Sequence, residues 1–123
     1  MMNWYFGWGS ILTAFLTGAI LGLFFYRDDF LGGYASFRRR TLRLGHIALA
    51  ALGMINILYG LSPMASEPSP RSWVASLGFM IGGVAMPAVC FLTSWRVGFR
   101  CLFFIPVSAL VIAVIQTLRI GVP

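Results

Sequence analysis

Four long apolar stretches, separated by short polar segments, dominate the chain. They run over residues 4–26, 42–61, 73–93 and 99–120. Each is about 20 residues long, and a helix needs roughly 17 to 25 residues to cross the hydrocarbon core of a bilayer. Lone strands are excluded, because lipid-exposed backbone must be hydrogen-bonded within its own segment. The pattern predicts one all-α integral membrane domain over 1–123, an antiparallel bundle of four transmembrane helices joined by short connections.

The composition supports lipid as the solvent. The chain is 59% hydrophobic with a mean hydropathy of +0.88, whereas soluble domains average roughly 45 to 50% apolar residues. A formal charge of +6 would also suit a nucleic-acid binder, but such a protein presents a basic face on a soluble core. The predicted partner is therefore the lipid bilayer and not nucleic acid.

The arginines predict the orientation, because positive residues collect in cytoplasmic connections. Only two of the nine arginines, Arg71 and Arg119, lie on the side of the second connection and the carboxyl end. The other seven lie at the first and third connections: Arg27, Arg38, Arg39, Arg40, Arg43, Arg96 and Arg100. This asymmetry predicts that both termini face outward, across the inner membrane in a bacterial source. The cluster Arg38, Arg39, Arg40 and Arg43 is interpreted as a basic loop that faces lipid headgroups or a partner subunit.

Small residues at four-residue spacing predict where the helices pack, since close backbone approach replaces the hydrophobic effect between helices in lipid. The candidates are Gly18 and Gly22 in the first helix, Gly53, Asn56 and Gly60 in the second, and Gly78 and Gly82 in the third. They favour internal packing, with a homo-oligomer or a partner helix as the alternative. Pro87 and Pro106 should interrupt helices three and four, and Asn56 is a candidate partner for a carbonyl that one of them frees.

Three side chains form a candidate metal site. His46, Cys90 and Cys101 are predicted at similar depth near the cytoplasmic face. They could bind a thiophilic metal, with Asp28, Asp29 or water as a fourth ligand. Haem is a second alternative, with His46 and either Met54 or Met86 as axial ligands. No paired metal-ligand spacing supports either one. We therefore expect no cofactor, two free thiols, and a packing role for His46.

The remaining polar residues favour a non-enzymatic protein. The three acidic residues, Asp28, Asp29 and Glu67, all lie in connections, so the helices lack the embedded carboxylate typical of proton-coupled transporters. No nucleophile can be paired with a base. The expected function is a structural, assembly or interaction subunit of the membrane. The alternatives are a small permease or channel, and a metal- or haem-binding protein centred on His46.

Overall fold

Residues 1–121 are described by a computed structural model, and within that range all regular secondary structure is helical, with no strand. The four α-helices are α1 (Met2–Phe25), α2 (Phe37–Leu61), α3 (Pro70–Trp95) and α4 (Phe104–Gly121). Short 3-10 segments at Phe30–Gly32, Pro63–Ser66 and Val97–Phe103 lie in the three connections. Four helical segments are long and apolar enough to cross a membrane, the last of them running over Val97–Gly121. The prediction of four such helices is confirmed.

Serine caps set the starts of α2 and α3. The Ser36 hydroxyl accepts a hydrogen bond from the Arg39 amide at 3.1 Å, and the Ser69 hydroxyl accepts one from the Ser72 amide at 3.1 Å. Such caps satisfy amides that have no partner within the helix. Both helices therefore begin before the apolar stretches that revealed them. As a result, the four clustered arginines lie in the first two turns of α2 and not in a loop.

The two prolines differ in their positions in the helices. Pro87 lies inside α3, which runs as one α-helix from Pro70 to Trp95, so the expected interruption of helix three is not observed. Pro106, in contrast, lies in the first turn of α4, because the segment before Phe104 is a 3-10 helix. Proline is tolerated in a first turn, where the missing amide would have no helical partner anyway. The expectation that Pro106 interrupts a long fourth helix was wrong.

The helices form a row in chain order, each packed against the next. Across α1 and α2, Gly60 lies opposite Trp4, Gly53 opposite Gly7, and His46 opposite Gly18. Residue numbers that rise along α1 fall along α2, so the two helices are antiparallel. Helices α2 and α3 are central, α4 packs on α3, and α1 touches α3 only lightly.

The interior combines polar side chains with a small hydrophobic cluster of Tyr59, Ala75, Phe79 and Ala113, whereas the surface is large and apolar. The largest fully buried side chains are Asn56, Thr93, Pro106 and Cys90. Bulky apolar groups point outward, among them Phe15, which is 72% exposed, and Leu58, which is 66% exposed. Contiguous apolar surface of this kind is rare on soluble monomers, but it costs little where lipid is the surrounding medium.

Candidate functional site

Two interhelical polar clusters join α1, α2 and α3, one near each end of the helix axes. The first, the amide cluster, consists of Asn3, Asn56 and Ser76 and joins α1, α2 and α3. The Asn3 amide nitrogen donates to the Asn56 side-chain oxygen at 2.9 Å and to the Ser76 carbonyl at 3.2 Å. The Ser76 hydroxyl donates to the Asn3 side-chain oxygen. Asn3 is 4% exposed and Asn56 is fully buried, so the hydrogen bond between the two amides lies out of contact with solvent.

Asn56 completes the cluster from the second helix. Its amide nitrogen donates to the Leu52 carbonyl of its own helix at 2.9 Å and to the Phe79 carbonyl of α3 at 3.1 Å. Both amide groups of the cluster thereby use both of their N–H donors, and each side-chain oxygen accepts a hydrogen bond. A buried amide satisfied in this way stabilises the packing of three helices. It has no donor left to offer a ligand.

The amide cluster differs from the sequence prediction in two respects. Asn56 does not bond the carbonyl of Gly83 that Pro87 leaves free, because it bonds the carbonyl of Phe79, one turn earlier in α3. Asn3 was assigned to the segment before the first helix and was missed as a packing residue. Its signal was available, because an asparagine within one turn of an apolar helix requires a partner if that turn is buried.

Two glycines of α2, Gly53 and Gly60, lie at close contacts with α1. A β-carbon at Gly53 would lie 2.9 Å from the Gly7 carbonyl oxygen, and one at Gly60 would lie 2.8 Å from the Trp4 amide nitrogen. The obstructing atoms belong to the backbone, so a rotamer change cannot relieve the overlap. These positions need glycine for the two helices to approach as closely as they do.

Two glycines of α3, Gly78 and Gly82, face α4. A β-carbon at Gly78 would lie 2.9 Å from the Ala109 carbonyl oxygen. One at Gly82 would overlap the side chain of Leu110. The first of these contacts is again with backbone, whereas the second is with a side chain that has rotamers available.

The small-residue stripe of α1 consists of Ser10, Ala14, Gly18 and Gly22. Only part of this stripe lies against α2. Ser10 and Ala14 are buried, and a β-carbon at Gly18 would lie 2.7 Å from the His46 ring. Gly22 has no heavy atom of another element within 4 Å of its β-position. Four-residue steps rotate about 40° each on a helix of 3.6 residues per turn, so the stripe turns away from α2 as it proceeds. The predicted internal packing therefore does not extend to Gly22, and the alternative, a contact of Gly22 with a second chain, stays a hypothesis.

The three candidate cofactor ligands lie apart in different environments. His46 packs its ring on Gly18, with Nδ1 3.4 Å from the Thr17 hydroxyl. Cys90 is fully buried at the contact of α3 with Gly45 of α2, whereas Cys101 is exposed in the 3-10 segment before α4. Across residues 1–121, no three histidine, cysteine or acidic side chains are grouped so that they could hold a metal ion. Of the proposed haem ligands, Met54 is 58% exposed on the outside of α2.

The second polar cluster is the arginine pair, Arg38 and Arg39, at the start of α2. The Arg39 guanidinium donates to the Phe25 carbonyl at 2.6 Å and to the Arg27 carbonyl at 3.2 Å. It also lies 4.6 Å from the centre of the Phe25 ring. Arg38 turns the other way and donates from Nε to the Ser94 carbonyl of α3 at 2.7 Å. Adjacent arginines thus join the start of α2 to the ends of both neighbouring helices.

The charge of Arg39 is compensated by carbonyl groups and not by a carboxylate. Arg39 is only 4% exposed, and the single ion pair found within residues 1–121 joins Arg27 to Asp29 at 3.7 Å. The last carbonyls of a helix lack helical partners and carry partial negative charge, so they attract cations. In an antiparallel row the basic start of α2 lies beside the ends of α1 and α3. The predicted lipid-facing role therefore does not describe Arg39, which points inward; of the cluster, Arg40 is exposed.

Hydroxyl groups on the outer faces bond to their own helices. Thr13 donates to the Gly9 carbonyl at 2.8 Å, and Ser108 donates to the Ile105 carbonyl at 3.0 Å. Both side chains are exposed. Lipid offers no hydrogen-bond partner, so an exposed hydroxyl in a membrane helix is best satisfied by a carbonyl one turn earlier. The outer faces of α1 and α4 thus present little unsatisfied polarity.

No family model, curated protein or solved structure matches this chain. The two polar clusters and the helix contacts therefore carry the functional argument.

Proposed function

We propose that the chain is an integral membrane protein that serves as a non-enzymatic structural, assembly or interaction subunit. In this proposal the four helices cross the cytoplasmic membrane of a bacterium. The helix ends beside the arginine pair face the cytoplasm, and the opposite helix ends, beside the amide cluster, face outward. The orientation is supported by the arginine asymmetry, since seven of the nine arginines lie at the former ends.

The amide cluster is the observation that carries the proposal. A permease or an enzyme in the membrane needs polar groups that are free to exchange partners with a substrate. Here the two buried amides are hydrogen-bonded to each other, to Ser76 and to backbone carbonyls of α2 and α3. Their chemistry is used to hold three helices together, which is the role expected of a structural protein.

The outer helices support an interaction role. Each is in contact with the row along one side only: the buried residues of α1 are Asn3, Gly7, Ser10 and Ala14, and those of α4 are Pro106 and Ala113. The remaining surface of both helices is available to lipid or to a helix of another protein. A subunit role requires that at least one of these surfaces contacts a partner.

Site-specific photocrosslinking in the native membrane tests that requirement. A photoreactive side chain at Leu16 or Leu118, both exposed, should give a discrete protein adduct. The same group at Leu52, which is buried, is the matched control and should crosslink only within the chain. Lipid adducts alone at both exposed positions would contradict the subunit role.

The cofactor and permease alternatives make different predictions for the purified protein. His46→Ala should leave metal content and visible absorption unchanged and should lower stability modestly, because the ring fills the space beside Gly18. Stoichiometric zinc, or a haem absorption band, that is lost in the variant would favour a cofactor protein. Solute flux into liposomes that Asn56→Ala abolishes without unfolding the protein would favour a permease.

A further inference from the structure

Two surface depressions that share Phe91 lie between α1 and α3, with α2 as their floor, and together they are called the groove. Helices α1 and α3 meet at the amide cluster, where Asn3 bonds Ser76. Towards the arginine pair they are separated by the groove. One depression lies beside Thr13 and Leu49, and the other beside Phe24 and Leu42. From Gly9 to Phe24 the groove follows α1 for about 22 Å at 1.5 Å per residue.

The groove is apolar along its length and basic at one end. Its walls and floor are mostly aliphatic and aromatic, and the Thr13 hydroxyl at its side is bonded to its own helix. At the end beside the α1–α2 connection the lining includes Arg38 and Trp95. Arg38 uses Nε to bond the Ser94 carbonyl, and its two terminal nitrogens make no hydrogen bond within residues 1–121. The half-buried Arg38 guanidinium therefore lies at one end of the apolar groove, with both terminal nitrogens free to donate.

We propose that this groove binds one anionic phospholipid, with an acyl chain lying on α2 and the phosphate at Arg38. The inference rests on the proposed membrane insertion. One leaflet of the hydrocarbon core is about 15 Å thick, so the groove is long enough for an acyl chain that enters from the arginine end. Arginine binds phosphate oxygens through two parallel N–H groups, and Trp95 has the amphipathic ring that favours the headgroup level. Charge and length together favour a lipid over a partner helix, which would need no cation at one end.

Lipid retention by the full-length protein in mild detergent tests the proposal. The probes are phosphatidylglycerol and phosphatidylcholine with identical acyl chains, and retention is measured by native mass spectrometry. One phosphatidylglycerol should bind per chain and should outcompete phosphatidylcholine. Arg38→Gln should weaken its retention about fivefold, the effect expected from one arginine near an anionic headgroup. Arg40→Gln is the matched control, because Arg40 is exposed and does not line the groove.

Two further measurements distinguish a bound lipid from a bound phosphate ion and from a general loss of stability. Arg38→Lys keeps the cation and should retain phosphatidylglycerol better than Arg38→Gln, even if both variants lose the Ser94 contact and some stability. Free inorganic phosphate should not displace the lipid. Equal loss in the Arg38→Gln and Arg40→Gln variants, equal retention of both lipids, or displacement by phosphate would overturn the proposal. A protein that alkaline extraction releases from membranes would instead refute membrane insertion itself.

Discussion

Enlarging Gly53 should separate α1 from α2. The β-position of Gly53 lies 2.9 Å from the Gly7 carbonyl oxygen and 3.1 Å from carbon atoms of both Ser10 and Ile11. Real β-carbons do not approach a carbonyl oxygen as closely as the first of these distances. In Gly53→Leu three further carbons must also be placed in a contact that has no room for the first. Because the carbonyl belongs to the α1 backbone, the strain is relieved only by moving the helices apart.

The size of the effect follows from two opposing terms. Overpacking of a close contact costs about 1 to 3 kcal/mol, and occasionally more. The cost of leucine at Gly53 should lie at the upper end of this range, because its β-position is obstructed by the Gly7 backbone and by the side chains of Ser10 and Ile11. Replacing glycine within a helix returns at most about 1 kcal/mol through helix propensity. The expected net loss in the free energy of unfolding is therefore about 2 kcal/mol.

Unfolding in mixed detergent micelles measures this loss, and the chain provides a matched glycine control. Gly22→Leu makes the same chemical change at a helix position with no heavy atom of another element within 4 Å. It should change the unfolding free energy by less than about 1 kcal/mol, towards greater stability. Ile55→Leu, on the exposed side of α2, should also be tolerated. Equal effects of leucine at Gly53 and Gly22 would show that the α1–α2 contact is not close-packed at Gly53.

Two further predictions concern the polar clusters. A double-mutant cycle of Asn3→Ala and Asn56→Ala should give a coupling free energy between about 0.6 kcal/mol, the average for hydrogen bonds between membrane helices, and about 1.7 kcal/mol, the maximum; additive effects would mean that the two amides do not interact. Arg39→Ala removes two charge-assisted bonds, one to the Phe25 carbonyl at the end of α1 and one to the Arg27 carbonyl just beyond it, and should cost about 2 to 3 kcal/mol, whereas Arg40→Ala, at an exposed position, should be nearly neutral. Similar losses for the two arginine variants, measured by the same micelle unfolding, would contradict the capping role of Arg39.

The number and character of the helices could be predicted from the sequence, because apolar segments of membrane-spanning length leave few alternatives. The starts of α2 and α3 were misplaced because hydropathy does not register polar first turns. Ser36 and Ser69 cap helices whose first residues include arginines or a proline. A capping serine marks the helix start at a single residue, whereas hydropathy is averaged over a long segment. The spacing of Gly53 and Gly60 was enough to predict that this face of α2 packs on another helix. Small residues on one face of a membrane helix allow close approach only where another helix covers that face.

The pairing of the polar residues within the two clusters could not be predicted from the sequence. Whether Asn56 meets Asn3, Ser76 or a proline-freed carbonyl depends on the axial register of three helices, and spacing along one helix does not fix that register. The arginine pair depends on register in the same way. The sequence placed the arginines at one end of the bundle, but only the packed helices distinguish Arg39, which is buried against Phe25, from Arg40, which is exposed.

Cysteine accessibility in intact cells tests the proposed membrane topology most directly. The background replaces Cys90 and Cys101 with serine, and single cysteines are introduced at Ser66, in the second connection, or at Asp29, in the first; both positions are exposed. A membrane-impermeant maleimide should label Ser66→Cys in intact cells and should label Asp29→Cys only after the membrane is opened. The reverse pattern would contradict the orientation. Equal labelling of both cysteines in intact cells would contradict the membrane crossing.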